Sequence, residues 1–281
     1  MTPGQKFREA VVKHKPLQIP GVINAYNAMM ATELGFQALY LSGGGVANNS
    51  CGLPDLGITN LNDILTDVNR ITDVTEIPLL VDIDTGFGHE LGIKRCIKSM
   101  IKAGVAAVHI EDQVDQKRCG HLDGKQLISQ QEMVDRLKAC IDARTDSSFV
   151  IMARTDAFAV EGLEATFERL AAYEAAGADM LFLEALPELK LYQQFAEKTQ
   201  LPLLANMTEF GKTPLFTASQ LAEVGVSMVL YPRTIDRVMS QAAVDTMTII
   251  LNQGTQQSCV ANMQTRAQLY DFLKNKTGYS G

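Results

Sequence analysis

The sequence predicts a (β/α)8 TIM barrel, and three observations point to it. Short apolar runs of strand length recur along the chain, each followed by a stretch of helical period. The runs are apolar nearly throughout, as strands buried on both faces of a parallel sheet are. Several helical stretches also end in a similar phrase before the next strand: ELGFQALYL, KAGVAAVHI, AAGADMLFL and EVGVSMVL. Glycine there suits a helix C-cap in the left-handed conformation. Eight such units in about 250 residues match the barrel, with a doubly wound open sheet as the alternative.

In chain order the runs are LQIPGVINAY (17–26), ALYLSG (38–43), PLLVDID (78–84) and AAVHIED (106–112). FVIMART (149–155), MLFLEA (180–185), PLLANM (202–207) and MVLYP (228–232) complete the set. ELGIKRCIKSMIKAG, SQQEMVDRLKACIDA and GLEATFERLAAYEAAG are the clearest helices between them, and an amphipathic stretch from Thr234 to Leu251 follows the eighth strand. No Pro-, Gly- or Ser-rich linker divides the chain. One domain over residues 1–281 is therefore expected, with a C-terminal helical segment from about 234.

Composition narrows the function class. Hydrophobic residues at 46% and charged residues at 20% are those of a soluble globular protein, and the longest apolar runs are too short to span a bilayer. The first residues, MTPGQKFREAVVKHK, lack the apolar core of a secretory leader. Cysteines at 51, 96, 119, 140 and 259 are odd in number and form no CxxC, so free thiols in a reducing, cytoplasmic setting are expected. A net charge of −7 without a Lys/Arg tract argues against nucleic acid or membrane as partner. An anionic substrate would need arginines placed locally.

In such barrels the chemistry lies beyond the C-terminal ends of the strands. Here those ends read Tyr40-Leu-Ser42-Gly-Gly, Asp82-Ile-Asp84, Glu111-Asp112, Arg154-Thr155-Asp156, Glu184, Asn206 and Tyr231. Asp82 and Asp84, two apart on a strand, point the same way, and with Glu111 they offer hard oxygen ligands for Mg²⁺. The lesser alternative is a cluster of aspartates that cap helices or pair with arginine. Ser42-Gly43-Gly44-Gly45 can bring backbone N–H groups up to an anion, or can be a bare turn. Arg154 can take a carboxylate in a bidentate fork, or can pair with Glu184.

Lys-Arg-Cys occurs twice. Around Cys96, apolar residues at 93, 97, 100 and 101 trace a helical face, so that thiol reads as packed and inert. Around Cys119, in KRCGH (117–121), there is no apolar period. The stretch from Gln113 to Ser129 is long for a connection at this end of a barrel and has the character of a lid. Lys117, Arg118 and His121 beside Cys119 would favour its thiolate and suit it to proton transfer near neutral pH, the alternative being an ordinary exposed cysteine.

These residues together resemble the isocitrate lyase/phosphoenolpyruvate mutase superfamily. KRCGH resembles its catalytic-loop signature, and YLSGGGVA, LPDLGI, LLVDIDTGFG, HIEDQ, IMARTDA and NMTEFG resemble its lyase branch in the same order. The resemblance runs from about residue 4 to 272. It implies Mg²⁺-dependent cleavage of (2S,3R)-2-methylisocitrate to pyruvate and succinate in propionate catabolism, with Mn²⁺ as a possible substitute. By matched position, Asp82 and Asp84 would hold the metal, with Glu111 reaching it through water. Ser42, Gly43, Gly44, Cys119, Gly120, Arg154, Glu184, Asn206, Met207, Thr208, Arg237 and Arg266 would contact the small di- or tricarboxylate substrate. Cys119 would donate the proton to carbon and Tyr40 would take the hydroxyl proton, with Lys117, Arg118 and His121 in the catalytic loop. The resemblance also implies a homotetramer in which the eighth helix is exchanged between subunits. Leu183 departs from a proline often found there. Phe182 lies where the family senses the extra methyl group, a difference worth only about 1–3 kcal/mol in an apolar pocket. Isocitrate or dimethylmalate cleavage is the nearest alternative; phosphonate or oxaloacetate chemistry is disfavoured by the intact KRCGH, and a noncatalytic acid-binding barrel by the retained Cys119 and aspartate pair.

Overall fold

The computed structural model describes residues 1–277, with side chains through Leu273. Eight parallel strands form one sheet: β1 (Leu17–Pro20), β2 (Leu39–Leu41), β3 (Leu79–Asp82), β4 (Ala107–Glu111), β5 (Val150–Thr155), β6 (Met180–Leu183), β7 (Leu203–Asn206) and β8 (Met228–Tyr231). Each pairs with its neighbour in sequence from β2 to β8, and β1 pairs with β8, Leu17 opposite Met228. The seam between β1 and β2 is closed by a bridge from Gly21 to Tyr40, where the Val22 N–H donates to the Tyr40 carbonyl at 2.8 Å. This closure excludes the open sheet. β1 is shorter than the LQIPGVINAY run because Asn24 already caps the following helix, its side chain accepting from the Asn27 N–H.

The helices are α1 (Pro3–Lys13), α2 (Ala25–Glu33), α3 (Gly43–Gly45), α4 (Leu61–Thr72), α5 (Glu90–Lys102) and α6 (Gln130–Ala143). α7 (Phe158–Glu161), α8 (Leu163–Ala175), α9 (Leu189–Ala196), α10 (Ala218–Glu223), α11 (Thr234–Gln253) and α12 (Arg266–Thr277) follow. In the four repeated phrases Gly35, Gly104, Gly177 and Gly225 have φ of +90, +80, +99 and +86°, the left-handed turn from helix back to strand.

Strand parity sorts the apolar residues into two layers. One parity (Leu79, Val81, Val108, Ile151, Leu181, Leu203, Val229) packs against the helices. The other (Ile19, Tyr40, Leu80, Ala107, Met152, Phe182, Leu204, Leu230) fills the barrel. Continuing the inward parity to the strand ends brings in Asp82, Glu111, Arg154, Glu184 and Asn206. The opposite end is plugged by α1, a helix the sequence reading left unassigned. Thr2 and Gln5 form its capping box, and Phe7 and Val11 join the interior layer. Burying a side chain such as Phe7 stabilises by roughly 1.5–3 kcal/mol. Arg8 ties the plug to the strand starts, donating to Asp179 at 2.7 Å and to the Ser148 carbonyl at 2.9 Å.

Helix α11 differs from the other long barrel helices. Among the described residues Asp236 is its one buried side chain, while Val238, Val244, Met247 and Leu251 are exposed.

Candidate active site

At the C-terminal end of the barrel, charged side chains are buried that would not normally leave water unpaired. Asp82, Asp84, Glu111, Lys117, Arg154 and Glu184 all have 7% exposure or less. Backbone strain gathers at the same end: Asp84, Phe87, Ala185 and Phe210 are the non-glycine residues of positive φ among those described, all in loops following β3, β6 and β7.

The aspartate pair forms the first half of the site. Asp82 accepts from the Gly43 N–H at 3.1 Å and the Asp84 N–H at 3.0 Å, with the Tyr40 hydroxyl 3.4 Å away. Tyr40 also meets His109 Nε2 at 3.0 Å. Burial pushes Asp82 upward, but nearby charge outweighs it and holds the carboxyl down at about 2. His109 is itself driven down to about 4 by burial. The His109 charge is the largest of those that lower Asp82, followed by Lys117 and Arg154; at neutral pH the ring is neutral, and the two permanent cations carry the compensation. Burial, opposed by Lys117 and reinforced by Asp82, lifts Asp84 to about 6.

Both Glu111 carboxylate oxygens and Asp84 Oδ1 are buried without a hydrogen-bond partner; Glu111 Oε2 has only an ion pair to Arg154 Nε at 3.4 Å and Asp84 Oδ1 one to Lys117 Nζ at 2.8 Å. Burial raises the Glu111 carboxyl well above its usual range despite Arg154. Orphaned hard oxygens at a polar mouth are what a divalent cation satisfies. Among the described residues no three His, Cys, Asp or Glu side chains converge on one point. Mg²⁺ needs only one or two carboxylates, with water and substrate oxygens completing its octahedron, so the aspartate pair fits it.

Arg154 organises the second half. Its Nε lies 3.0 Å from Asp156 and 3.4 Å from Glu111, its Nη2 lies 3.2 Å from Glu184, and the guanidinium sits 5.0 Å over the Phe182 ring. Asn206 Nδ2 donates to both Glu184 oxygens at 3.2 and 3.3 Å. Burial works against the Glu184 carboxylate, but Arg154 and then His121 hold it well below the usual range.

The Gln113–Ser129 segment lies down over both halves. Lys117 reaches Asp84 and Asp55; His121 Nε2 lies 2.7 Å from Glu184; Lys125 pairs with Asp156 at 2.8 Å. His121 Nδ1 accepts the Lys212 N–H at 3.0 Å, which leaves the ring proton on Nε2, the nitrogen that lies beside Glu184. At Gly120 a Cβ would lie 2.4 Å from Glu184 Cγ and 2.5 Å from Arg154 Nη2, so only glycine lets the loop seat.

Several sequence expectations change in this setting. The cations flanking Cys119 in sequence do not surround its sulfur: Lys117 and His121 are spent on carboxylates, and Arg118 is exposed. Burial raises the Cys119 thiol, although the backbone N–H of His121 opposes the shift. The resting group is thus a thiol, suited to giving a proton and not to taking one. Burial, with Asp82 next, raises Tyr40 well above the ordinary phenol, so it rests as a donor and not as a ready base. The Gly43 N–H is already committed to Asp82, and Ser42 caps α3 by accepting from Gly45 at 3.2 Å. Met207 packs in the outer layer, and Thr208 is buried beside it. Arg237 is held by the Glu209 carbonyl at 2.6 Å and carboxylate at 3.0 Å. Arg266 is exposed on α12, and among the described residues no ion pair joins it to the mouth. Cys96 is fully buried, as its helical period requires.

Asp55, Lys125 and Gln113 received no role in the sequence reading. Asp55 lies in LPDLGI and carries the signal of a lone acid in a glycine- and proline-flanked loop. Its partner, 62 positions away, is visible only in three dimensions.

The profile of the phosphoenolpyruvate phosphomutase family matches residues 7–251. The chain is 59% identical to a 2-methylisocitrate lyase of Shewanella oneidensis over 96% of its length and 92% of that protein's. It is 56% identical to the 2-methylisocitrate lyase of Escherichia coli, over 97% of this chain and 92% of that one. Among solved structures, a 2,3-dimethylmalate lyase superposes with a TM-score of 0.91 at 33% identity, covering 99% of this chain and 93% of that one. A phosphonopyruvate hydrolase bound to oxalate and Mg²⁺ superposes at 0.86 and 25% identity, covering 98% and 96%.

Proposed function

The chain belongs to the phosphoenolpyruvate phosphomutase family, and from that membership we propose that it is a Mg²⁺-dependent carbon–carbon lyase cleaving 2-methylisocitrate to pyruvate and succinate. The observation that carries the reading is the KRCGH loop seated on the mouth, with its glycine pressed on Arg154 and Glu184 and its lysine on Asp84. The relatives of 56–59% identity that share one name support the substrate.

The reaction moves one proton off oxygen and one onto carbon. Loss of the substrate's hydroxyl proton turns that oxygen into the ketone of pyruvate as the adjacent C–C bond breaks. The bonding electron pair stays on the other fragment, beside a carboxylate, as the aci form of succinate. Asp82 and Asp84 would hold the ion, which when bound acidifies the hydroxyl and stabilises the α-keto acid. Tyr40 orients the hydroxyl and takes its proton as its own phenolic proton moves to the neutral His109 ring 3.0 Å away. Arg154 faces the negative charge that builds on the departing fragment. The Cys119 thiol then protonates its carbon, and the folded-down loop keeps water from doing so first. An assay of products tests the reading: pyruvate in step with succinate from 2-methylisocitrate supports it, and glyoxylate from isocitrate as the dominant product overturns the substrate.

The exposed apolar residues of α11 support assembly as a homotetramer with this helix exchanged between subunits. Light scattering on a sizing column should then give about four times the chain mass of 30.7 kDa, and a monomer would contradict it. Unpaired cysteines support a cytoplasmic setting. Among the described residues no helix is long and apolar enough to cross a membrane.

A further inference from the structure

We infer that Gln113 is a positioning residue for the lyase reaction, its buried carboxamide acting as a template that aims Lys117 and Cys119 into the barrel mouth. The inference rests on the reading of the mouth as the lyase site. Gln113 is 1% exposed and lies just past β4, at the root of the loop. Its Nε2 donates to the Arg118 carbonyl at 2.9 Å, and its Oε1 accepts the Arg118 N–H at 3.0 Å. One side chain thus satisfies both backbone groups of a residue five positions on, as a neighbouring strand would. The burial of the segment follows: Lys117 is buried, Arg118 exposed and Cys119 half-buried, the alternation of extended backbone held against a partner. Lys117 is thereby turned toward Asp84 and Cys119 inward, while the Arg118 side chain points out.

The template is itself fixed from the other side. The Gln113 main chain forms an antiparallel bridge with Leu127, and the Val114 N–H donates to Gln126 at 3.0 Å. From α6, Arg136 Nη1 donates to the Gln113 carbonyl at 2.8 Å and the Glu111 carbonyl at 3.0 Å, and Nη2 to Asp115 at 3.0 Å. A neck tied by these bonds therefore carries the amide that shapes the arc beyond it. Without that amide the Arg118 backbone can be satisfied by water, so the fold loses little, while the stretch from Lys117 to Cys119 loses the partner that fixes its register.

The test compares the wild-type enzyme with Q113M, which keeps length and apolar volume but neither hydrogen bond, and Q113N, which is polar but one methylene too short. Both are expected to lower kcat about 100-fold, the loss typical of reacting groups displaced by about 1 Å, while KM changes less than threefold. Trypsin should also cut after Arg118 at least tenfold faster in both variants, with the melting midpoint little changed. A Q113M or Q113N enzyme with wild-type kcat and wild-type resistance at Arg118 overturns the inference. So does a loss of folded protein with kcat per folded molecule intact, which would mark Gln113 as structural only. Should the wild type fail to cleave 2-methylisocitrate, the lyase reading falls, and the tryptic comparison still decides whether Gln113 shapes the loop.

Discussion

Cys119→Ser is expected to lower kcat by about 10³-fold, within the 10²–10⁴ range of a lost general acid, and to leave the melting midpoint unchanged. The serine hydroxyl is nearly isosteric with the thiol but a much weaker acid. Protonation of the succinate carbon then becomes the slow step, while cleavage of the C–C bond and binding of both products remain. Cys119 is half-buried in a loop and packs in neither apolar layer, so the fold has little stake in its sulfur. Thermal stabilisation by pyruvate plus succinate with Mg²⁺ should persist in the variant. Steady-state assay of pyruvate release checks the rate, and wild-type kcat in Cys119→Ser would remove the thiol from the mechanism.

Arg154→Met should damage both stability and turnover. Glu111, Asp156 and Glu184 all lie within 3.4 Å of this one guanidinium, and all three are buried. Removing the cation strands carboxylates in a dry interior, which typically costs about 3–5 kcal/mol for a broken buried pair. Chemical denaturation reads that loss, and a shift below about 1 kcal/mol would show that the carboxylates rearrange or take up protons at little cost. Turnover should fall by about 10³-fold, because no fixed donor then faces the charge of the departing fragment. Arg154→Lys separates the two effects. Its ammonium keeps one positive charge and should recover most of the stability, but it cannot span Glu111, Asp156 and Glu184 at once, so kcat should stay low.

The sequence made the scaffold legible because its signals are local. Seven of the eight strands are apolar runs that lead into a polar residue, and the left-handed glycines at 35, 104, 177 and 225 mark the returns from helix to strand. With the barrel in hand, parity carries Asp82, Arg154, Glu184 and Asn206 to one mouth without further information. The chemistry of the loop was not local in this way. Lys117 and His121 adjoin Cys119 in sequence, yet each serves a carboxylate delivered by another strand, so adjacency gave the wrong direction for the thiol. Asp55 and Lys125 escaped notice for the same reason, their partners being distant in the chain. Arg237 and Arg266 came from matched positions in the resemblance; the first is held at Glu209 and the second is exposed. The α1 plug was missed because its apolar residues, Phe7, Ala10 and Val11, are too few to announce a helix among so many charges.

The most direct measurement is pyruvate release from 2-methylisocitrate, with Mg²⁺ present and again after chelation. The aspartate pair and the closed catalytic loop predict rapid release with Mg²⁺, near-complete loss with chelator and recovery when the ion is restored. Release that persists unchanged in chelator would contradict a metal held by Asp82 and Asp84, and no release with Mg²⁺ would contradict the lyase reading itself.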